Sequence, residues 1–496
     1  MATTEFAKVP SASLIAGQWI AGQGPEFQSI SPTDDSVVWQ GNESSSAQIA
    51  EACQAARAAT AVWWRTSLDD RIAIVEKYAS IVESRKDELA TLISHEMGKP
   101  LWEAKTEAGA VVGKAAVSID ALHTRRLDSS FPSGEVNAAT RYKPFGVLAV
   151  IGPFNFPAHL ANGHIIPALL AGNTIVFKPS ELTPAVGTWM VDCWLQAGLP
   201  AGVLNLVQGG REVGVGLSTQ EELDGLLFTG SNAAGRALHQ TYAQWPQKML
   251  ALEMGGNNPL IVHQANDLQA AAYLTILSAF VTAGQRCTCA RRLILPEGPQ
   301  TEPFLEVLQK MMSGIRVAPW TNDPEPFLGT VISKRQGSRL MESQQHLLDS
   351  GAKTLVPMTQ DASNAALLSP GLLDSSNITD RSDEEVFGPL LQIFRVADFE
   401  AAIAEANNTS YGLSAALLSD DRDCFEQFIH EIRAGVVNWN RQTTGASGKL
   451  AFGGCGLSGN NRPSGYFAID YCNWPVSTLE ADSLSLPEKT MTGIEL

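Results

Sequence analysis

The spacing of apolar and polar positions changes period several times along the chain. Through residues 1–45 it is short and alternating, with Gln18-Trp19-Ile20 and Val37-Val38-Trp39 set between turn signals at Gly22-Gln23-Gly24 and Ser31-Pro32-Thr33-Asp34, which predicts short strands. Over 47–64 and 68–97 the pattern becomes helical: Ile72, Val75, Tyr78 and Val82 recur at three- and four-residue spacing, and Gly98-Lys99-Pro100 closes the run. A further alanine-rich helix is expected over 102–123. Residues 125–141, with Asp128-Ser129-Ser130 and Pro132-Ser133-Gly134, read as an exposed hairpin or linker.

After Pro144 the alternation becomes regular. Strands are expected at 147–151, 174–177, 203–207, 225–228 and 249–253, and helices at 160–170, 186–196, near Val213 and after Ser231. Short apolar strands alternating with helices imply βαβ units, so the fold class is α/β with a parallel, doubly wound sheet. A second alternation opens at 259–263, followed by a helix over 267–283 and a strand over 292–295. A second α/β domain therefore starts near residue 256. Ligands of such sheets bind at the carboxyl ends of the strands.

Composition narrows the function classes. A chain of 496 residues is too long for a single core. A net charge of -17 argues against a nucleic-acid or anionic-membrane surface, because phosphate contacts need clustered Lys and Arg. The seven cysteines, at 53, 193, 287, 289, 424, 455 and 472, are odd in number and scattered, which reads as reduced thiols in the cytosol. The N-terminus carries Glu5 and Lys8 without an apolar signal core, and the run at 271–283 is too short to span a bilayer, so no membrane association is expected. Without H-E-x-x-H or a second ligand pair beside Cys287-x-Cys289, no metal is expected.

The residues able to do chemistry gather at strand ends. Residues 280–292, F-V-T-A-G-Q-R-C-T-C-A-R-R, end an apolar run in a glycine turn that presents Cys287 beside Arg286. A neighbouring cation favours the nucleophilic thiolate; the plain alternative is that Cys287 and Cys289 are both small buried hydrophobes. Phe228-Thr229-Gly230-Ser231 leads to Gly235 through a glycine turn into a helix start, where free N–H groups suit a pyrophosphate, although capping alone also accounts for it. The 210–216 glycine cluster reads as local packing. Lys178 and Glu181 end another strand, and such a pair suits ribose hydroxyls, with the carboxylate repelling a 2′-phosphate; a solvated strand end is the alternative. Glu253, before Gly255 and Gly256, is a general base or a turn cap. Asn155, between Pro153 and Pro157, is an oxyanion donor or an Asx turn. Glu385 and Phe387 add a carboxylate and an aromatic ring, or form a surface turn.

Taken together, G-P-F-N-F-P, F-K-P-S-E, F-T-G-S, L-E-M-G-G-N-N-P, G-Q-R-C, E-E-V-F-G-P and F-G-G occur in an order that resembles the aldehyde dehydrogenase superfamily over nearly the whole chain. The resemblance implies an NAD-binding domain over 1–124 and 145–255, a catalytic domain over 256–462, and a small β oligomerisation element over 125–144 and 463–496. It implies Cys287 as nucleophile, Asn155 with the Cys287 N–H as oxyanion donors, and Glu253 as the base that activates water. It implies Lys178 and Glu181 at the adenine ribose, Gly230, Ser231 and Gly235 at the pyrophosphate, and Glu385 with Phe387 at the nicotinamide ribose, with NAD as cofactor and a homodimer or homotetramer as assembly.

Within the family, His159-Leu-Ala-Asn162-Gly-His164, Asn438-Trp-Asn440, Asn461-Arg462-Pro463-Ser464 and Asp470-Tyr471-Cys472 resemble the branch that acts on a succinylated semialdehyde in arginine catabolism. The carboxylates of such a substrate call for arginines, and Arg286, Arg441 and Arg462 are the candidates, each with a structural role as the alternative. Transfer of the acyl group to coenzyme A instead of water is a second reading, against which Glu253 stands. A scaffold that keeps only the fold is a third, against which Cys287, Glu253 and Asn155 stand together.

Overall fold

The computed structural model describes residues 9–486 and 491–494; residues 1–8, with Glu5 and Lys8, and the outermost parts of the expected 463–496 element lie outside the described residues. Two seven-stranded sheets organise the chain. In the first, the spatial order is Met249–Met254, Gly225–Gly230, Val147–Ile151, Thr174–Lys178, Leu204–Leu206, Ser13–Ile15 and Gln18–Ile20. Its first five strands are mutually parallel, and the N-terminal pair closes the edge antiparallel. Val147–Ile151, sequence VLAVI, is apolar throughout because helices cover both faces of a parallel sheet.

The second sheet runs Lys353–Val356, Gly371–Asp374, Leu390–Val396, Ala290–Pro296, Asn258–Val262, Ser414–Leu418 and Val436–Trp439. Only Lys353–Val356 is antiparallel. Its core is built from Leu260, Phe280, Leu293, Phe304, Leu391 and Leu418. The expected hairpin is present as Ser129–Ser133 and Val136–Pro144, and Asn473–Glu480 joins it as a third antiparallel strand. Just before that strand, Ala468, Ile469, Tyr471 and Cys472 pack into the same core as Leu148, Phe177, Trp189 and Trp194 of the first sheet and its helices.

Two expected helices differ. The run expected over 68–97 is two helices, Leu68–Ser84 and Lys86–Met97, broken at Arg85 (φ -120°, ψ 17°). The Arg85 side chain binds Glu88 at 2.6 Å and stacks on Trp189, so tertiary contacts set a break that periodicity does not show. The helix expected over 267–283 stops at Phe280, and the next residues leave helical geometry. Among the described residues no helix is long and apolar enough to cross a membrane.

Candidate active site

Helix Leu268–Phe280 starts on the Asp267 carboxylate, which accepts the N–H groups of Gln269 and Ala270. Past Phe280, Thr282 (φ 58°), Ala283 (φ 51°) and Gly284 (φ 72°) are left-handed in succession. For the two non-glycine residues this costs about 1–2 kcal/mol each, so other groups must hold them there. Buried Glu103 is one: its Oε2 accepts the Thr282 N–H at 3.0 Å, and its Oε1 accepts the Thr282 hydroxyl at 2.8 Å and Arg286 Nη2 at 2.7 Å. At Gly284 a Cβ would overlap the Gly388 carbonyl, which excludes any other residue. The Gln285 carboxamide accepts the Ile332 N–H at 2.9 Å.

Cys287 follows directly. Asn258 Nδ2 donates to the carbonyls of Cys287 (2.7 Å) and Cys289 (2.9 Å), and Arg291 donates to those of Gly284 (2.6 Å) and Arg286 (3.0 Å). The backbone on both sides of the thiol is thereby fixed. The two thiols separate here: Cys289 is fully buried among core residues, whereas Cys287 is partly exposed. Burial pushes the Cys287 thiol up to about 12, with Glu385, Glu253 and Cys289 adding to the rise and Arg291 opposing it. The opposing cation is thus Arg291, while Arg286, the expected partner, is held by Glu103 and lies 4.9 Å from the centre of the Phe156 ring.

Glu253 sits at the carboxyl end of its strand, in register with Thr229. Its Oε1 accepts the Ser464 N–H at 3.2 Å; its Oε2 is buried and has no hydrogen-bond partner among the described residues. Burial raises this carboxyl to about 8, with Ser464 opposing. An orphan carboxylate oxygen beside a thiol is chemically suited to take a proton from water.

Asn155 lies on the turn after Val147–Ile151. Its Nδ2 donates one hydrogen to the Gln285 carbonyl at 2.9 Å, which leaves the second amide hydrogen for another acceptor. The main-chain carbonyl of Asn155 accepts Lys99 Nζ at 2.8 Å. Lys99 pairs with Glu107 at 2.7 Å, both side chains fully buried, and Glu107 accepts the N–H groups of Ala158 and His159 where the next helix begins. This network ties the Asn155 turn to the helices beneath it.

The dinucleotide candidates lie along the same sheet edge. Buried Lys178 donates to the Pro179 carbonyl at 2.8 Å and sits 3.9 Å from half-exposed Glu181. Ser231 caps helix Asn232–Tyr242 by accepting the Ala234 N–H at 3.3 Å. Side chains at Gly230 and Gly235 would collide with Phe228 and Met254, so both glycines also meet packing demands. Glu385 lies over Gly255, where a Cβ would overlap its carboxylate, and pairs with Arg291 at 3.2 Å. Phe387 meets Phe154 edge-on at 5.9 Å. A ribose needs hydrogen-bond donors and acceptors for its hydroxyls, and Lys178 with Glu181, and the Glu385 carboxylate, are groups of that chemistry.

Of the three arginines considered for substrate carboxylates, Arg286 alone belongs to the Cys287 loop. Arg441 is exposed, and Arg462 lines a groove with His239, Lys248 and Leu250 near the start of strand Met249–Met254, the end opposite Glu253.

The sequence pattern that defines the aldehyde dehydrogenase family matches residues 19–474. The chain belongs to the aldehyde dehydrogenase family. It is 53% identical over 482 residues to an N-succinylglutamate 5-semialdehyde dehydrogenase of Pseudomonas fluorescens (strain Pf0-1), covering 97% of this chain and 99% of that one. It is 52% identical over 486 residues to the protein of the same name from Ectopseudomonas mendocina (strain ymp), covering 98% and 100%. An indole-3-acetaldehyde dehydrogenase crystallised with NAD+ superimposes with a TM-score of 0.90 at 29% identity, over 96% of this chain and 97% of that one. Of the residues that support this candidate site from behind, Lys99 and Glu103 did not stand out in the sequence, and Asn258 and Arg291 lay inside L-E-M-G-G-N-N-P and the 280–292 stretch with no role read for them. Lys99 reads there as part of a helix stop.

Proposed function

We propose that this enzyme oxidises N-succinyl-L-glutamate 5-semialdehyde to N-succinyl-L-glutamate with NAD, in arginine catabolism. The observation that carries the substrate is identity above one half, over essentially the full length, to two relatives of that name. Cys287 Sγ passes its proton to solvent, and the thiolate bonds to the aldehyde carbon as the carbonyl π pair moves onto oxygen. The resulting oxyanion is held by the free Asn155 amide hydrogen and the Cys287 N–H. NAD, when bound, supplies the hydride acceptor that turns the thiohemiacetal into a thioester. Glu253, through Oε2, takes a proton from water as the water oxygen attacks the thioester carbon, and the carbon–sulfur bond breaks to release the acid and the Cys287 thiolate.

Lys178 and Glu181 would hold the adenine ribose, Gly230, Ser231 and Gly235 the pyrophosphate, and Glu385 with Phe387 the nicotinamide ribose. Selection of NAD over NADP rests on the Glu181 carboxylate. Residues 1–124 with 145–255 form the cofactor domain and 256–462 the catalytic domain; 125–144 with strand Asn473–Glu480 form the element that joins copies into a homodimer or homotetramer in the cytoplasm, while the start of the expected 463–496 piece packs into the core of the first domain instead. Phe131, Trp474 and Leu479 are exposed on that sheet and support the last assignment. An NADH assay over a panel of semialdehydes tests the substrate. Turnover of simple aliphatic aldehydes with none of the succinylated one would sink it, and a requirement for coenzyme A would replace water as the acceptor.

A further inference from the structure

Arg291 is about as deeply buried as any charged side chain in the protein, and the steps above make no use of it. Through Nη1 it donates to the Gly284 carbonyl (2.6 Å), and through Nη2 to the Arg286 carbonyl (3.0 Å) and to Glu385 Oε1 (3.2 Å). Its guanidinium lies 5.3 Å from the centre of the Phe387 ring. One planar fork therefore ties the backbone just ahead of Cys287 to both side chains proposed for the nicotinamide ribose. A lysine, with a single point charge, could not span these partners.

We propose that Arg291 is a positioning residue that couples the Cys287 nucleophile to the cofactor clamp. While Glu385 rests on Arg291, the two charges cancel beside the thiol; when Glu385 turns to ribose hydroxyls, the Arg291 charge acts on Cys287 uncompensated and favours the thiolate. This rests on the reading of Glu385 as a ribose contact.

The geometry says which partner moves. Arg291 has two bonds to backbone carbonyls and is enclosed, whereas Glu385, held besides Arg291 by the Gly256 N–H, keeps a side chain 14% exposed and meets Arg291 at the long end of hydrogen-bond distance. The groups acting on Cys287 are Glu385 from the 384–389 turn, Glu253 from strand Met249–Met254, and Cys289 and Arg291 from its own segment. Among these, only Glu385 and Arg291 are joined by an ion pair, so displacement of one changes the field of the other.

The test is the rate at which iodoacetamide alkylates Cys287, followed on the Cys287 peptide at a fixed pH below the thiol midpoint, where rate tracks thiolate fraction. Arg291→Gln should slow alkylation by about tenfold and Glu385→Gln should speed it by about tenfold, while Arg291→Lys should fall nearer wild type than Arg291→Gln does. ADP-ribose carries the second ribose without the nicotinamide cation. It should accelerate alkylation of the wild type and leave Glu385→Gln unchanged, with a smaller acceleration in Arg291→Gln than in the wild type. Shifts of the same sign in Arg291→Gln and Glu385→Gln, no shift in either, or no acceleration by ADP-ribose would overturn the proposal. Should Arg291→Gln fail to fold, Glu385→Gln and the ADP-ribose arm still decide it. None of these readings uses NADH formation, so failure of the proposed oxidation is seen separately.

Discussion

Glu253 is held by one backbone N–H and raised by burial to about 8, so at neutral pH much of it carries the proton that a general base must lack. Steady-state turnover should therefore climb as pH rises toward about 8 and level off above it, provided release of the acid limits the cycle, and a pH–rate profile checks this. Glu253→Gln should keep a single-turnover burst of NADH and slow the steady state by about 10²–10⁴-fold. A lost burst would place Glu253 ahead of hydride transfer. At the other end of the cofactor groove, Glu181 is half exposed and only loosely paired with Lys178, which leaves its charge available against a 2′-phosphate. Glu181→Gln should raise kcat/KM with NADP relative to NAD, and an unchanged ratio would remove Glu181 from the ribose.

At the scale of elements, the decisive piece is the break between helix Leu268–Phe280 and strand Ala290–Pro296. Three left-handed residues there aim the chain back under the 384–389 turn, and Gly284 touches the Gly388 carbonyl. Gly284→Ala should cost about 2 kcal/mol or more and lower the melting temperature, because the backbone is left-handed and the methyl group has no room. Differential scanning calorimetry would show it. Strands and most helices were legible in the sequence because periodicity reports local burial, as at Val147–Ile151. This break was not, since Thr282 and Ala283 carry no left-handed signature of their own and are held by Glu103, far away in sequence. The residues proposed as nucleophile, base and oxyanion donor stood out through motifs, while the network behind them did not. Lys99, Glu103 and Glu107 act through tertiary contacts that no local pattern encodes, and Asn258 and Arg291, although inside motif stretches, show their bonds to the Cys287 backbone only in the folded chain.

Across the whole molecule, buried carboxyls set a pH dependence of stability. Burial raises Glu253 to about 8 and Glu96 to about 7, so the folded state favours their protonated forms. That contribution is complete below the ordinary carboxyl range near 4.5 and is lost as pH climbs through about 7 to 8. Glu253→Gln removes one of these ionisations, so its melting temperature should fall less between mildly acidic and mildly alkaline pH than that of the wild type. The chain path has another consequence, for synthesis. The backbone N–H that holds Glu253 belongs to Ser464, 211 residues further on, and Tyr471 and Cys472 fill the core around the first sheet. A ribosome exposes every strand of that sheet long before it delivers this last layer. A nascent chain stalled short of residue 464 thus lacks the backbone N–H that holds Glu253, so the step assigned to Glu253 waits on the last part of the chain.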